Sequence, residues 1–151
     1  MKKILIINGP NLNLLGQRQP ELYGRQTLQE INKDLERLAQ SLKLSVDFIQ
    51  SNHEGELISA LQRAAQEYHG AIINAAAYTH TSLALRDTIL AINIPVIEVH
   101  LTNPAGREDF RQKSYLAGAA VGLVAGFGPR SYELALHYFS ESPASPLRIS
   151  I

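Results

Sequence analysis

The order of apolar and polar positions divides the chain into alternating strands and helices. Ile4-Leu5-Ile6-Ile7 is a continuous apolar run, as expected of a strand covered on both faces. At Thr27 the period changes. Thr27 and Glu30 are spaced as a capping box, and Ile31, Leu35, Leu38 and Leu42 recur at helical spacing, which predicts an amphipathic helix over 28–42. Leu44 to Ile49 reads as a second strand, Glu56 to His69 as a second helix stopped by Gly70, and Ala71 to Ala76 as a third strand. A third helix starts at Thr79 or Thr81 and runs to Ala91. Val96 to Leu101 follows Pro95 as the fourth strand. Ala119 to Phe127 is the predicted fifth strand, and Pro129 occupies the first turn of a last helix carrying Tyr132, Leu136 and Phe139. The tail from Ser142 to Ile151 holds two prolines and either docks on a neighbour or frays.

Five strands alternating with helices predict an α/β three-layer sandwich with a parallel sheet and right-handed connections. The order 2-1-3-4-5, flavodoxin-like, suits five strands, and ligands then bind beyond the carboxyl ends, near the switch between strands one and three. A length of 151 residues fits one domain, 1–151.

Composition narrows the function classes. Lysine and arginine total 14, aspartate and glutamate 14, and no basic run occurs, which argues against a nucleic-acid partner. The absence of cysteine removes thiolate zinc sites and cysteine nucleophiles and suits a reducing, cytoplasmic setting. The opening Met1-Lys2-Lys3 is followed by only four apolar residues before Asn8. No stretch approaches the ~20 needed to span a membrane, so no membrane association is expected. No GxGxxG, Walker A, G-x-S-x-G or zinc-spaced histidine pair is present.

Polar residues gather where the fold rule places ligands. Asn8, Asn11 and Asn13 follow strand one. Asn74, Tyr78 and His80 end strand three. Glu98, His100 and Thr102 end strand four. The two long loops, 9–26 and 102–113, open on the same edge and carry Arg18, Arg25, Arg107 and Arg111, which points to an anionic small molecule. Glu98 and His100 share one face of a strand, so the carboxylate can orient the imidazole. Taken alone, Asn8 and Asn13 equally suit caps of the turn after strand one, Tyr23 equally suits a packing anchor, and His53, His69 and His137 read as structural or solvated.

The run Asn8-Gly9-Pro10-Asn11-Leu12-Asn13-Leu14-Leu15-Gly16, with Arg18, Pro20, Tyr23 and Gly24, resembles the N-terminal signature of the type II 3-dehydroquinate dehydratases. Gln50 to Leu57, Ala77 to Ser82, Glu98 to Asn103, and Arg107, Glu108, Phe110, Arg111, Ser114 and Tyr115 match the same family in the same order. The resemblance implies dehydration of 3-dehydroquinate to 3-dehydroshikimate in the shikimate pathway, with no metal and no cofactor. It implies Tyr23 as base, Arg18 as its activator, His100 as general acid oriented by Glu98, and Asn11 as a stabiliser of the enolate through a water. Asn74, His80, Leu101, Thr102 and Arg111 would hold the substrate. Asp87 would reach a neighbouring subunit in a homo-oligomer, a dodecamer built as a tetramer of trimers. Two positions depart from the family. Asn74-Ala75-Ala76 stands where the family usually reads Asn-Pro-Gly, and Thr102 where serine is common. Alanine takes left-handed backbone angles less readily than glycine, so the turn after strand three is expected to differ.

These residue types suit the chemistry. Taking a proton from beside a ketone makes an enolate, and the β-hydroxyl then leaves. The sequence of steps needs a base, an oxyanion stabiliser and an acid. A phenol titrates near ~10 in water, so tyrosine needs a nearby guanidinium to act as a base at neutral pH. Glu98 favours the imidazolium that donates the proton. Two other classes remain open from the residues alone: a flavodoxin-like module binding a nucleotide, flavin or other anion, and a non-catalytic assembly subunit.

Overall fold

The computed structural model describes residues 1–141. The predicted tail, 142–151, lies outside the described residues. Strands β1 (Lys2–Asn8), β2 (Leu44–Gln50), β3 (Gly70–Asn74), β4 (Val96–His100) and β5 (Gly122–Ala125) form one sheet in the order β2-β1-β3-β4-β5. Every neighbouring pair is parallel. The helices are the single turn α1 (Pro20–Tyr23), then α2 (Leu28–Ser41), α3 (Glu54–Glu67), α4 (Leu83–Ala91) and α5 (Arg130–Glu141).

Each β1 residue from Ile4 to Ile7 is buried, and alternate side chains enter different cores. Ile4, Ile6 and Ile72 pack with Ile31 and Leu35 of α2 and Leu136 and Phe139 of α5. Leu5, Ile7 and Ile73 pack with Leu57 and Leu61 of α3 and Leu85 and Ile89 of α4. Each such side chain stabilises the fold by about 1.5–3 kcal/mol through burial. The three-layer α/β sandwich and the strand order agree with the sequence reading. Among the described residues no helix is long and apolar enough to cross a membrane.

The capping box forms. Thr27 Oγ1 accepts from the Glu30 N–H at 3.2 Å, and Glu30 Oε2 accepts from the Thr27 N–H at 3.4 Å. Other boundaries shift for identifiable reasons. The helix read from Glu56 begins at Glu54 and ends at Glu67, where Tyr68 turns extended; Gly70 opens β3 instead of stopping the helix, and a β-carbon there would overlap the Phe139 ring. Helix α4 starts after Ser82, whose hydroxyl accepts from the Leu85 N–H at 2.9 Å, while Thr79 lies in the preceding 3-10 turn and Thr81 ends that turn as its C-cap. The fifth strand is four residues long, because the N–H groups of Ala119 and Ala120 turn back to the Leu116 carbonyl.

Candidate active site

The carboxyl ends of β1 and β3 meet at Asn8 and Asn74, which are register partners. Beyond them the Gly9 N–H donates to the Asn74 carbonyl at 2.8 Å, and the chains run so close that a Gly9 β-carbon would lie 2.5 Å from the Ala75 carbonyl oxygen. Only glycine fits there. Strand β3 stops at Asn74 instead of continuing to Ala76, because Ala76 turns to a left-handed backbone with φ 52°. That conformation costs a non-glycine residue about 1–2 kcal/mol. The Ala76 N–H is held by Asn74 Oδ1 at 3.1 Å. Asn11 also takes left-handed angles, with φ 68°, and its N–H donates to Asn52 Oδ1 at 3.1 Å.

A cavity of about 230 Å³ opens over these strand ends. The first loop supplies Asn11, Arg18 and Tyr23 to its wall. The strand ends supply Asn74, His80, His100, Leu101 and Thr102. The second loop supplies Arg107, Glu108 and Arg111. Nine of the eleven residues given catalytic or substrate-binding roles from the sequence thus line one space. Glu98 lies beneath it, fully buried, and Asp87 stands away from it on the exposed face of α4.

Tyr23 sits at the end of α1 with its hydroxyl accepting from an Arg107 guanidinium nitrogen at 3.1 Å. The same nitrogen donates to Thr102 Oγ1 at 3.3 Å, and the guanidinium lies 5.8 Å from the Tyr23 ring centre. Arg18, the activator implied by resemblance, lines the same cavity.

His100 Nε2 is 3.0 Å from Glu98 Oε1, and Ser114 Oγ donates to the same oxygen at 2.6 Å. An ionised carboxylate only accepts, so Nε2 carries a hydrogen and Nδ1 is the nitrogen that Glu98 leaves for chemistry. Ser114 is fixed in turn, accepting from the N–H groups of Leu116 and Ala117 at 3.1 and 3.0 Å. His80 Nδ1 is 2.7 Å from the Lys113 carbonyl, which can only accept, so Nδ1 carries the hydrogen there.

The second loop brings positive charge to the rim. Arg111 Nε lies 3.1 Å from Glu108 Oε2 as an ion pair but lacks hydrogen-bond alignment. Arg107 Nε is 3.6 Å from the same oxygen. A backbone hydrogen bond, followed by the charges of Arg107 and Arg111, holds the Glu108 carboxyl below its usual range.

Sequence reasoning named Arg107 only as one of several loop arginines and assigned nothing to Ser114 or Tyr132. The contact of Arg107 with Tyr23 joins positions 84 apart, which no local pattern encodes. The sequence places Tyr132 only on the last helix. Its hydroxyl in fact reaches the strand ends and bonds Asn8 and Asn74.

The arrangement pairs a tyrosine oxygen contacted by a cation with a carboxylate-oriented imidazole across one anion-friendly cavity. It suits proton abstraction beside a carbonyl coupled to protonation of a leaving oxygen. Comparison with known proteins gives a consistent picture. The sequence model of the family described as "Dehydroquinase class II" matches residues 2–140. A 3-dehydroquinate dehydratase from Acaryochloris marina is 54% identical over 133 residues, covering 88% of this chain and 89% of its own. One from Francisella tularensis subsp. novicida is 55% identical over 133 residues, covering 88% and 90%. The crystal structure of a type II dehydroquinase from Butyrivibrio crossotus superposes with a TM-score of 0.91 at 37% identity, covering 93% of this chain and 98% of that one.

Proposed function

We propose, from the premise that the chain belongs to the class II dehydroquinase family and dehydrates 3-dehydroquinate in the shikimate pathway, that the elimination runs through an enolate with Tyr23 as base and His100 as acid. The supporting observation is the cavity that holds the Tyr23 hydroxyl, contacted by a guanidinium, together with the His100 ring, fixed by Glu98. The elimination is anti.

The substrate carries a carboxylate, a ketone and a β-hydroxyl. The ionised Tyr23 oxygen takes a proton from the carbon beside the ketone, and the carbon–hydrogen electron pair becomes the enolate. Asn11 stabilises the enolate oxygen through a water. The enolate then re-forms the ketone as the carbon–oxygen bond to the β-hydroxyl breaks. His100 gives that hydroxyl its proton, and water and the conjugated enone of 3-dehydroshikimate result. Glu98, buried beside the ring, stabilises the charge that His100 carries before donation. Arg18 and Arg107 both supply guanidinium charge to the Tyr23 side of the cavity. Arg107 does so by direct contact, and Arg18 when the 9–26 loop closes and excludes water. Asn74, His80, Leu101, Thr102 and Arg111 hold the substrate, with Arg111 taking its carboxylate. The reaction uses no cofactor.

The whole chain, 1–151, acts as one catalytic domain in the cytoplasm, and copies assemble as trimers into a dodecamer. Helix α4 supports this assembly. Leu83 and Leu90 are 58% and 56% exposed, and Asp87 lies on the same helical stripe at positions i, i+4, i+7. A subunit covering that stripe would receive Asp87 at its own site. Mixing purified protein with 3-dehydroquinate and following the ultraviolet absorbance of the enone tests the reaction. A rise proportional to enzyme is expected, and a flat trace with folded protein would overturn it. Sedimentation gives the assembly state, and a monomer at micromolar concentration would exclude the dodecamer.

A further inference from the structure

Asn74 and Ala76 line the cavity, yet what orients them comes from α5, a helix that supplies no residue to the cavity wall. A backbone N–H can only donate, and that of Ala76 donates to Asn74 Oδ1 at 3.1 Å. The other end of the same amide is therefore Nδ2, which also only donates. Its acceptor is the Tyr132 hydroxyl oxygen at 3.1 Å. A phenol has one proton, and here it is directed to Asn8 Oδ1 at 2.5 Å. One backbone N–H thus fixes the sense of every hydrogen bond from α5 to the cavity wall. All three side chains are buried, with Tyr132 at 0% exposure, so water does not compete for these bonds. Burial pushes the Tyr132 phenol above its ordinary range, partly opposed by the Asn74 hydrogen bond, which keeps its proton in place.

Ala76 needs such a restraint. Its φ of 52° runs against alanine's intrinsic preference. We propose that Tyr132 is a positioning residue of the substrate site. Its hydroxyl, acting through Asn74, holds Ala76 in the left-handed conformation that shapes the cavity wall. The role rests on the reading of this cavity as the substrate site. It accounts for alanine standing at a turn that glycine would form unaided.

The test is steady-state kinetics on Tyr132→Phe, Ala76→Gly and the double variant. Tyr132→Phe keeps the ring and removes the hydroxyl, and kcat/KM should fall about tenfold, mostly as a rise in KM. Adding Ala76→Gly should recover most of that loss, because glycine takes the same angles without a restraint. A Tyr132→Phe enzyme with a lower denaturation midpoint but an unchanged KM would overturn the proposal, and so would a double variant no better than the single one. If Tyr132→Phe does not fold, the unaltered protein still decides the matter by nuclear magnetic resonance. The Asn74 side-chain amide protons should exchange slowly, and exchange as fast as in an exposed asparagine would overturn the chain of bonds. Tyr23→Phe tests the cavity itself. A fully active Tyr23→Phe removes the site reading, whereas an inactive Tyr23→Phe together with failure of the Tyr132 tests in the enzyme that keeps Tyr23 removes only this proposal.

Discussion

Tyr23 and Tyr68 each sit beside a cation, at opposite ends of the parallel sheet. At the amino end Lys3 Nζ lies 4.5 Å from the Tyr68 ring centre, and the Tyr68 hydroxyl donates to Asp47 Oδ2 at 2.8 Å. Lys3 pairs with the same oxygen at 3.2 Å, and His69 is tied to Lys3 through its Nδ1. Burial, then the Asp47 hydrogen bond, raises the Tyr68 phenol above its ordinary range. At the carboxyl end Tyr23 accepts from Arg107 and faces a cavity. One tyrosine gives its proton to a carboxylate and closes a clasp. The other receives a donor and keeps an oxygen available for chemistry. The partner's sign, more than the residue type, decides whether a phenol donates its proton to fasten structure or accepts a hydrogen bond and stays open to a cavity.

The largest effect should come from exchanging the two roles. Tyr23→Phe is expected to lower kcat by ~10²–10⁴-fold with substrate affinity nearly unchanged, whereas Tyr68→Phe leaves kcat alone and costs about 1 kcal/mol of stability. Parallel assays and urea denaturation check both, and a Tyr23→Phe enzyme with near-normal turnover breaks the comparison. His100→Ala should cut kcat by a comparable ~10²–10⁴-fold while KM barely moves. An effect confined to KM would make His100 a binding group instead.

Arg107→Gln should lower kcat about tenfold at neutral pH. Arg107→Lys, which keeps the charge but loses the planar fork, should recover part of the loss. An effect confined to KM, with kcat unchanged, would show that Arg107 only binds substrate. The smallest effect concerns the clasp. The Tyr68 hydrogen bond, then Lys3, holds the Asp47 carboxyl below its usual range. The contribution is therefore present above the ordinary carboxylate range and is lost as pH falls through the lowered folded value. Lys3 is raised, chiefly by Asp47, so its share is present below the ordinary lysine range and fades as pH rises through the raised value. Denaturation midpoints of Asp47→Asn and unaltered protein should differ slightly at neutral pH, converge in acid and differ less in alkali, where the Lys3 share is lost. A difference that persists in acid would dissociate the clasp from Asp47 ionisation.

The sequence made the sheet legible because buried parallel strands are written as apolar runs, and Ile4 to Ile7 admits no other economical reading. The Glu98–His100 pair was legible because a period of two is local. Strand ends were less so. Ala75 and Ala76 look like more strand, and only Asn74 capturing the Ala76 N–H explains why β3 stops. Helix α4 was expected to start at Thr79 or Thr81, but Thr79 is buried in the preceding turn and Ser82 caps the helix instead, which only the folded chain shows. Arg107 at Tyr23 and Tyr132 at Asn74 join residues 84 and 58 apart, so they emerge only from the closed fold.

The central place of β1 has a consequence for synthesis. It pairs with both β2 and β3, yet it leaves the ribosome before either exists. At about 5–20 residues per second the chain needs roughly 2–8 s more to complete β2 and roughly 3–13 s to complete β3. Throughout that interval Ile4 to Ile7 is an unpaired apolar segment with open edges, the kind of element that recruits chaperones or wrong partners. Crowded expression should therefore tax this protein through its first strand, long before any active-site residue has a neighbour.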